Sequence, residues 1–101
     1  MRVLSVLADP TRQQIVQLLA QGPMASGEIA GRFELSAPAI SQHLKALRDA
    51  GLARVRIDAQ RRIYELDPQG LEDLAAWIAG LRGFWSPRLD ALEGALKKGE
   101  D

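Results

Sequence analysis

The 101-residue chain has no cysteine, and that single absence excludes disulfides, thiolate metal sites and cysteine nucleophiles together. It is also compatible with a reducing compartment. Histidine occurs once, at His43, and no serine, histidine and carboxylate stand in an arrangement that would make a catalytic triad. There is no glycine-rich phosphate loop. Asp9, Asp49, Asp58 and Asp67 each fall at an expected helix boundary or turn, where capping accounts for them. No apolar run is long enough to span a membrane, no signal peptide is expected, and a cytoplasmic location is the expectation. Internal repeats are absent, and the one low-complexity stretch is a charged tail, Lys97 to Asp101, expected to fray. The expectation is therefore not an enzyme but a single domain over residues 1–101, able to bury about two-thirds of its unfolded surface.

What is present is well punctuated. Residues 36–52 read as one short helix with a start, two different faces and a stop. Ser36 is placed to cap the first amides, and Pro38 sits in the opening turn, where its missing N–H costs nothing. Ile40, Leu44 and Leu47 recur at helical spacing as the buried stripe, and Gly51 supplies the left-handed residue that ends the helix. The opposite face carries Pro38, Ser41, Gln42 and Lys45. Such a narrow, small and polar face fits a DNA major groove as well as it fits plain solvent.

The pattern then changes from helical to alternating. Arg54-Val55-Arg56-Ile57 reads as a half-buried strand, Asp58 to Arg61 as a polar turn, and Arg62 to Leu66 as a second strand. The turn lacks the Asn-Gly or Asp-Gly pair of the tightest hairpins. Upstream, Asp9-Pro10 opens a helix whose apolar face is Ile15, Leu18 and Leu19, and Gly22-Pro23 closes it. Ala25 to Phe33 reads as a short helix with Ile29, Ala30 and Phe33 turned inward. Two short helices followed by an arginine-bearing hairpin make a winged helix-turn-helix, so the fold class is mainly α with a small β-hairpin.

Charge supports a nucleic-acid partner. The formal net charge is zero, but residues 32–62 hold seven basic against three acidic side chains, a local +4. Residues 63–101 hold four against eight, or −4. The cations Lys45, Arg54, Arg56, Arg61 and Arg62 thus gather on one helix and the hairpin, the footprint that phosphates require. Arg12 and Arg32 are either flanking phosphate contacts or solvated.

The C-terminal third has a different character. Asp67-Pro68 caps another helix, in which Leu71, Leu74, Ala75, Ile78 and Leu81 keep helical spacing. Ser86-Pro87 either restarts a second helix or kinks one long helix. Beyond it, Trp85, Leu89, Leu92 and Leu96 step by four, three and four residues, a seam of coiled-coil type. With Val3, Leu4 and Leu7 from the first helix, this seam is expected to join two copies as a homodimer, Trp85 beside Phe84 acting as an anchor. Residues 1–66 would hold the helix-turn-helix and wing, and residues 67–98 the dimerisation helices. Packing back onto the same chain is the other use of that seam, and a small apolar pocket around Trp77, Phe84 and Trp85 is another use of the aromatic residues.

Four segments in order, Leu7 to Ile15, Glu28-Ile29-Ala30, Ser36 to Leu52 and Arg61 to Leu66, resemble the ArsR-type (arsenic-repressor-like) winged-helix regulators from about residue 4 to residue 66. The resemblance implies a homodimeric repressor on an inverted-repeat operator in double-stranded DNA, often released by an inducer. By position, the family's base-reading residues fall on Ala37, Pro38, Ser41 and Gln42. Many members carry Gln-Ser where this chain has Ala37-Pro38, and the hairpin tip lacks the usual glycine.

Where members with metal sites carry a Cys-x-Cys pair, this chain reads Met24-Ala25-Ser26-Gly27, and residues 67–101 contain no histidine. His43 is expected at the helix edge or against backbone. Glu72-Asp73 and Glu100-Asp101 read as solvated faces, so neither a metal nor any other cofactor is expected. Two alternatives stay open: a repressor that answers to a small organic inducer, and a winged-helix module for protein–protein contact.

Overall fold

Asp9 begins the first long helix as the sequence predicts: its Oδ1 accepts the N–H of Thr11 at 2.8 Å and of Arg12 at 3.1 Å, with Pro10 in the first turn. The computed structural model describes residues 2–100, apart from the side chains of Lys98 and Glu100. Asp101 and the Glu100 carboxylate, part of the expected solvated tail, lie outside the described residues. The order is α1 (Arg2–Leu7), α2 (Pro10–Ala20), β1 (Met24–Ala25), α3 (Ser26–Ala30), α4 (Ala37–Asp49), β2 (Ala53–Asp58), β3 (Arg61–Leu66) and α5 (Pro68–Glu100). The chain divides into two compact units, one through Leu71 and one from Glu72 onward.

In the first unit, the stripe Ile40, Leu44 and Leu47 of α4 meets Ile15 of α2 and Ile29 of α3 in a core that also holds Leu52. Each such buried side chain contributes roughly 1.5–3 kcal/mol, so the stripe determines how α4 is seated. The helix ends as Gly51 predicts. Gly51, at φ +79°, donates to the Arg48 carbonyl at 2.9 Å, and Leu52 donates to the Leu47 carbonyl at 3.0 Å. That pair of bonds closes a Schellman turn and sends the chain into β2.

Three expectations are corrected here. The short helix runs over Ser26–Ala30 only; Ile29 is buried, whereas Ala30 and Phe33 are half-buried. Gly27 inside it and an Ala25 cap with no side-chain bond give it little reason to extend. The sheet has three strands, in the order β1-β3-β2, because Met24 pairs with Tyr64 and Ala25 with Ile63. β3 is therefore central, and adjacent Ile63 and Tyr64 are both buried, one on each face. The hairpin loop is only Ala59-Gln60, with Ala59 at φ +56° doing the work usually given to glycine.

In α5, Asp67 again caps: the N–H of Gln69 donates to its Oδ1 at 3.0 Å. The helix runs 33 residues, about 50 Å at 1.5 Å per residue, and continues through Pro87. Of the two forms left open for the Ser86-Pro87 break, the single helix is the one observed. Trp77, Ile78, Leu81, Phe84, Trp85, Leu89, Leu92 and Leu96 are all exposed along it. Among the described residues, no helix is long and apolar enough to cross a membrane.

Candidate nucleic-acid interface

The residue that starts α4 also orients its outer face. Ser36 Oγ accepts the N–H of Ala39 at 3.2 Å, and the Ile40 N–H bonds the Ser36 carbonyl at 3.1 Å. With Ile40, Leu44 and Leu47 pinned inward, Ala37, Pro38, Ser41, Gln42 and Lys45 are all exposed. This is the arrangement a helix needs to enter a groove about 12 Å wide: a rigid seat, small residues at the leading end, then a hydroxyl, an amide and an ammonium.

His43 lies between the two faces, half-buried. Its Nδ1 accepts a hydrogen bond from Nε of Arg12 at 3.1 Å, which ties α2 to α4. It sits at the helix edge as expected, but its partner is a side chain rather than backbone. Arg12 is thereby half-buried and committed within the fold, while Arg32 is exposed. The neighbouring Asp9 carboxyl is held below the ordinary carboxylate value, chiefly by the Arg12 backbone N–H. Partial burial opposes that shift, and the Thr11 N–H and the positive charge of Arg12 reinforce it.

The wing arginines divide into two classes that the sequence did not distinguish. Arg54 pairs with its cross-strand neighbour Glu65 at 3.0 Å, and Arg61 reaches from β3 to Glu28 of α3 at 2.6 Å. Both pairs are exposed and add little to stability, but they neutralise charge where it matters. Arg56 and Arg62 have no ion pair among the described residues. Glu28 and Arg61 are 33 residues apart in sequence, and no local pattern could have signalled their pairing. Ile57 is a second surprise. The alternating pattern implied a half-buried strand, yet this side chain is 67% exposed, because β2 extends beyond the body of the unit.

The residues assigned to self-association are exposed, with the exception of Leu7. Leu4 is exposed and Leu7 half-buried on α1, where Val6 instead turns inward. On α5, Phe84 and Trp85 meet edge to face at 5.3 Å, and the Arg88 guanidinium lies 3.8 Å from the centre of the Phe84 ring. Arg88 Nη1 also donates to the Phe84 carbonyl at 2.7 Å. Among the described residues, no three His, Cys, Asp or Glu side chains converge as a metal site requires.

Comparison with known proteins converges on one group. The profile of the family described as "Bacterial regulatory protein, arsR family" matches residues 9–55, from the Asp9 cap into β2. The HTH-type transcriptional regulator Rv2034 of Mycobacterium tuberculosis is 48% identical over 88 residues, 87% of this chain and 79% of that protein. The transcriptional repressor SdpR of Bacillus subtilis is 37% identical over 76 residues, 75% of this chain and 84% of that protein. Among solved structures, the homodimeric winged helix-turn-helix DNA-binding domain of a possible ArsR-family regulator from Mycobacterium bovis superposes with a TM-score of 0.67. It is 32% identical and covers 81% of this chain and 76% of its own.

Proposed function

The chain belongs to the arsR family of bacterial regulatory proteins, and from that premise we propose that it is a homodimeric repressor of an inverted-repeat operator that does not answer to metal ions. The observation that carries the reading is the division of α4 into a buried stripe and an exposed face of Pro38, Ser41, Gln42 and Lys45, next to a wing with two unpaired arginines. Ser41 and Gln42 read base edges, Lys45 and the wing arginines without ion pairs among the described residues, Arg56 and Arg62, meet the DNA backbone and its flanking groove, and the side-chain-poor tip at Ala37-Pro38 leaves much of the specificity to DNA shape.

A second copy covers the apolar side chains of α5, with Leu81, Trp85, Leu89, Leu92 and Leu96 as its seam and Leu4 and Leu7 of α1 as candidate additions. Burying so long an exposed series is the economical way to remove it from water. The two-fold axis then sets two α4 helices about 34 Å apart, one turn of DNA, and occupancy of a promoter excludes polymerase. The chain's lack of cysteine, and of any converging set of ligands among the described residues, supports a repressor without a metal effector.

The test is fluorescence anisotropy of the purified protein on its own upstream intergenic DNA, across a salt series, with random duplex as control. Binding to the native fragment at least a hundredfold tighter than to random DNA, falling steeply with salt and unchanged by Zn(II), Ni(II) or arsenite, is the expected result. Salt-insensitive binding, or none to either duplex, counts for the protein–protein module instead. Release of the operator by a metal overturns the effector part of the reading.

A further inference from the structure

Ile57 is the most exposed large apolar side chain among the described residues, and it stands on the wing rather than on α5. It lies on an outer strand, two positions before the loop, directly opposite Arg62 on β3. On that same face Val55 and Tyr64, one pair nearer the body, are half-buried and buried. The Ile57–Arg62 pair is thus the free end of the face. An exposed β-branched residue on a sheet edge invites aggregation, so a bare isoleucine here needs a use. Its surroundings indicate one. Of the four wing arginines, the two without ion pairs among the described residues are Arg56 and Arg62; Arg56, next along the strand, lies on the opposite face, and Arg62 shares the face of Ile57 and sets free positive charge beside it. The ribbon is two strands wide, roughly 5 Å between backbones, and closes on the small loop Ala59-Gln60. Proteins that enter the minor groove combine arginine with an inserted apolar side chain, the pair that this free end presents in Arg62 and Ile57.

We propose that Ile57, with Arg62 opposite, reads the minor groove and makes the wing select A·T base pairs beside each recognition-helix site. The proposal rests on the DNA-binding reading above. At an A·T pair the groove floor bears only acceptors, which leave room for a methyl group and attract a guanidinium. A G·C pair raises the guanine 2-amino group from the floor, where it meets the methyl sterically and offers a donor that isoleucine cannot accept. A·T runs also narrow the groove and deepen its negative potential, which favours Arg62.

The test uses the intact protein and an inverted-repeat duplex recovered by selection from a random pool. The pairs flanking the α4 contacts are made A·T, G·C or inosine·C, the last having the major groove of G·C and the minor groove of A·T. G·C is expected to weaken binding about tenfold and inosine·C to restore it. Ile57→Ala and Ile57→Thr, at an exposed position, should cut the tenfold preference to the few-fold that Arg62 alone supplies and leave the salt slope unchanged. Arg62→Ala should reduce that slope by about one. Inosine·C behaving like G·C, or Ile57→Ala keeping the full preference, overturns the proposal. Specific, salt-steep binding that ignores the flanking pairs also overturns it while the DNA reading stands; loss of binding to every duplex takes both down.

Discussion

Nε of Arg12 and Nδ1 of His43, 31 residues apart in the chain, are 3.1 Å apart in the fold, and that one bond joins α2 to α4. The donor is charged and the acceptor is half-buried, so the pair contributes more than a solvated contact would. Arg12→Ala and His43→Ala should each lower unfolding free energy by about 1 kcal/mol, and the double variant by little more than either alone. Urea denaturation of the four proteins measures the coupling. Additive losses would mean that the bond does not tie the helices.

The cap at Asp9 carries the pH dependence. Its carboxyl is held low mainly by the Arg12 backbone N–H, so the folded state favours the ionised form. The resulting stabilisation is complete above the unfolded carboxylate pKa, about 3.9, and is lost as pH falls through the lower folded value. The stability difference between wild type and Asp9→Asn should therefore be constant above about pH 5 and shrink in more acidic solution. A difference that persists unchanged to pH 2 would exclude the carboxylate as its source.

Ala59 occupies a left-handed conformation at the first position of a two-residue loop, where a Cβ is disfavoured. Ala59→Gly should stabilise the protein by about 1 kcal/mol despite glycine's greater freedom when unfolded. Thermal unfolding at neutral pH decides the sign.

Gly70, in the first turns of α5, presents its Cα to the Gly51 carbonyl so closely that a Cβ would overlap that backbone oxygen. Gly70→Ala should cost about 1–3 kcal/mol even though alanine is the better helix former by about 1 kcal/mol. Gly80→Ala, where a Cβ meets nothing within 4 Å, is the control and should be neutral or stabilising.

Glu28 occupies the Arg61 guanidinium with its own carboxylate. Glu28→Gln should tighten binding to all duplexes alike by a few-fold and raise the salt slope by about one, with little change in stability because the pair is exposed. Gln42→Ala should instead relax base preference. Anisotropy against operator and random DNA separates the two, and a sequence-dependent effect of Glu28→Gln would assign Arg61 a reading role.

Local punctuation was legible: the caps at Asp9, Ser36 and Asp67, the stop at Gly51 and the stripe of Ile40, Leu44 and Leu47 follow from backbone chemistry and helical spacing alone. The exposed face of α4 was legible as the remainder of that stripe. β1 was not, because two residues are too few for any periodicity, and its strand character comes entirely from bonding to Tyr64 and Ile63. Nor was the continuity of α5 through Pro87, since the same dipeptide caps one helix or kinks another. The sequence by itself determined a winged helix-turn-helix whose positive charge gathers on one helix and the hairpin, because pattern and charge are properties of neighbours in the chain. Only the tertiary structure decided which wing arginines have no ion pair among the described residues, that Arg12 serves His43, and that Ile57 stands bare at the wing's end. Those depend on which distant side chains the packed core brings within a few ångströms, and pairing at that range leaves no trace in local order.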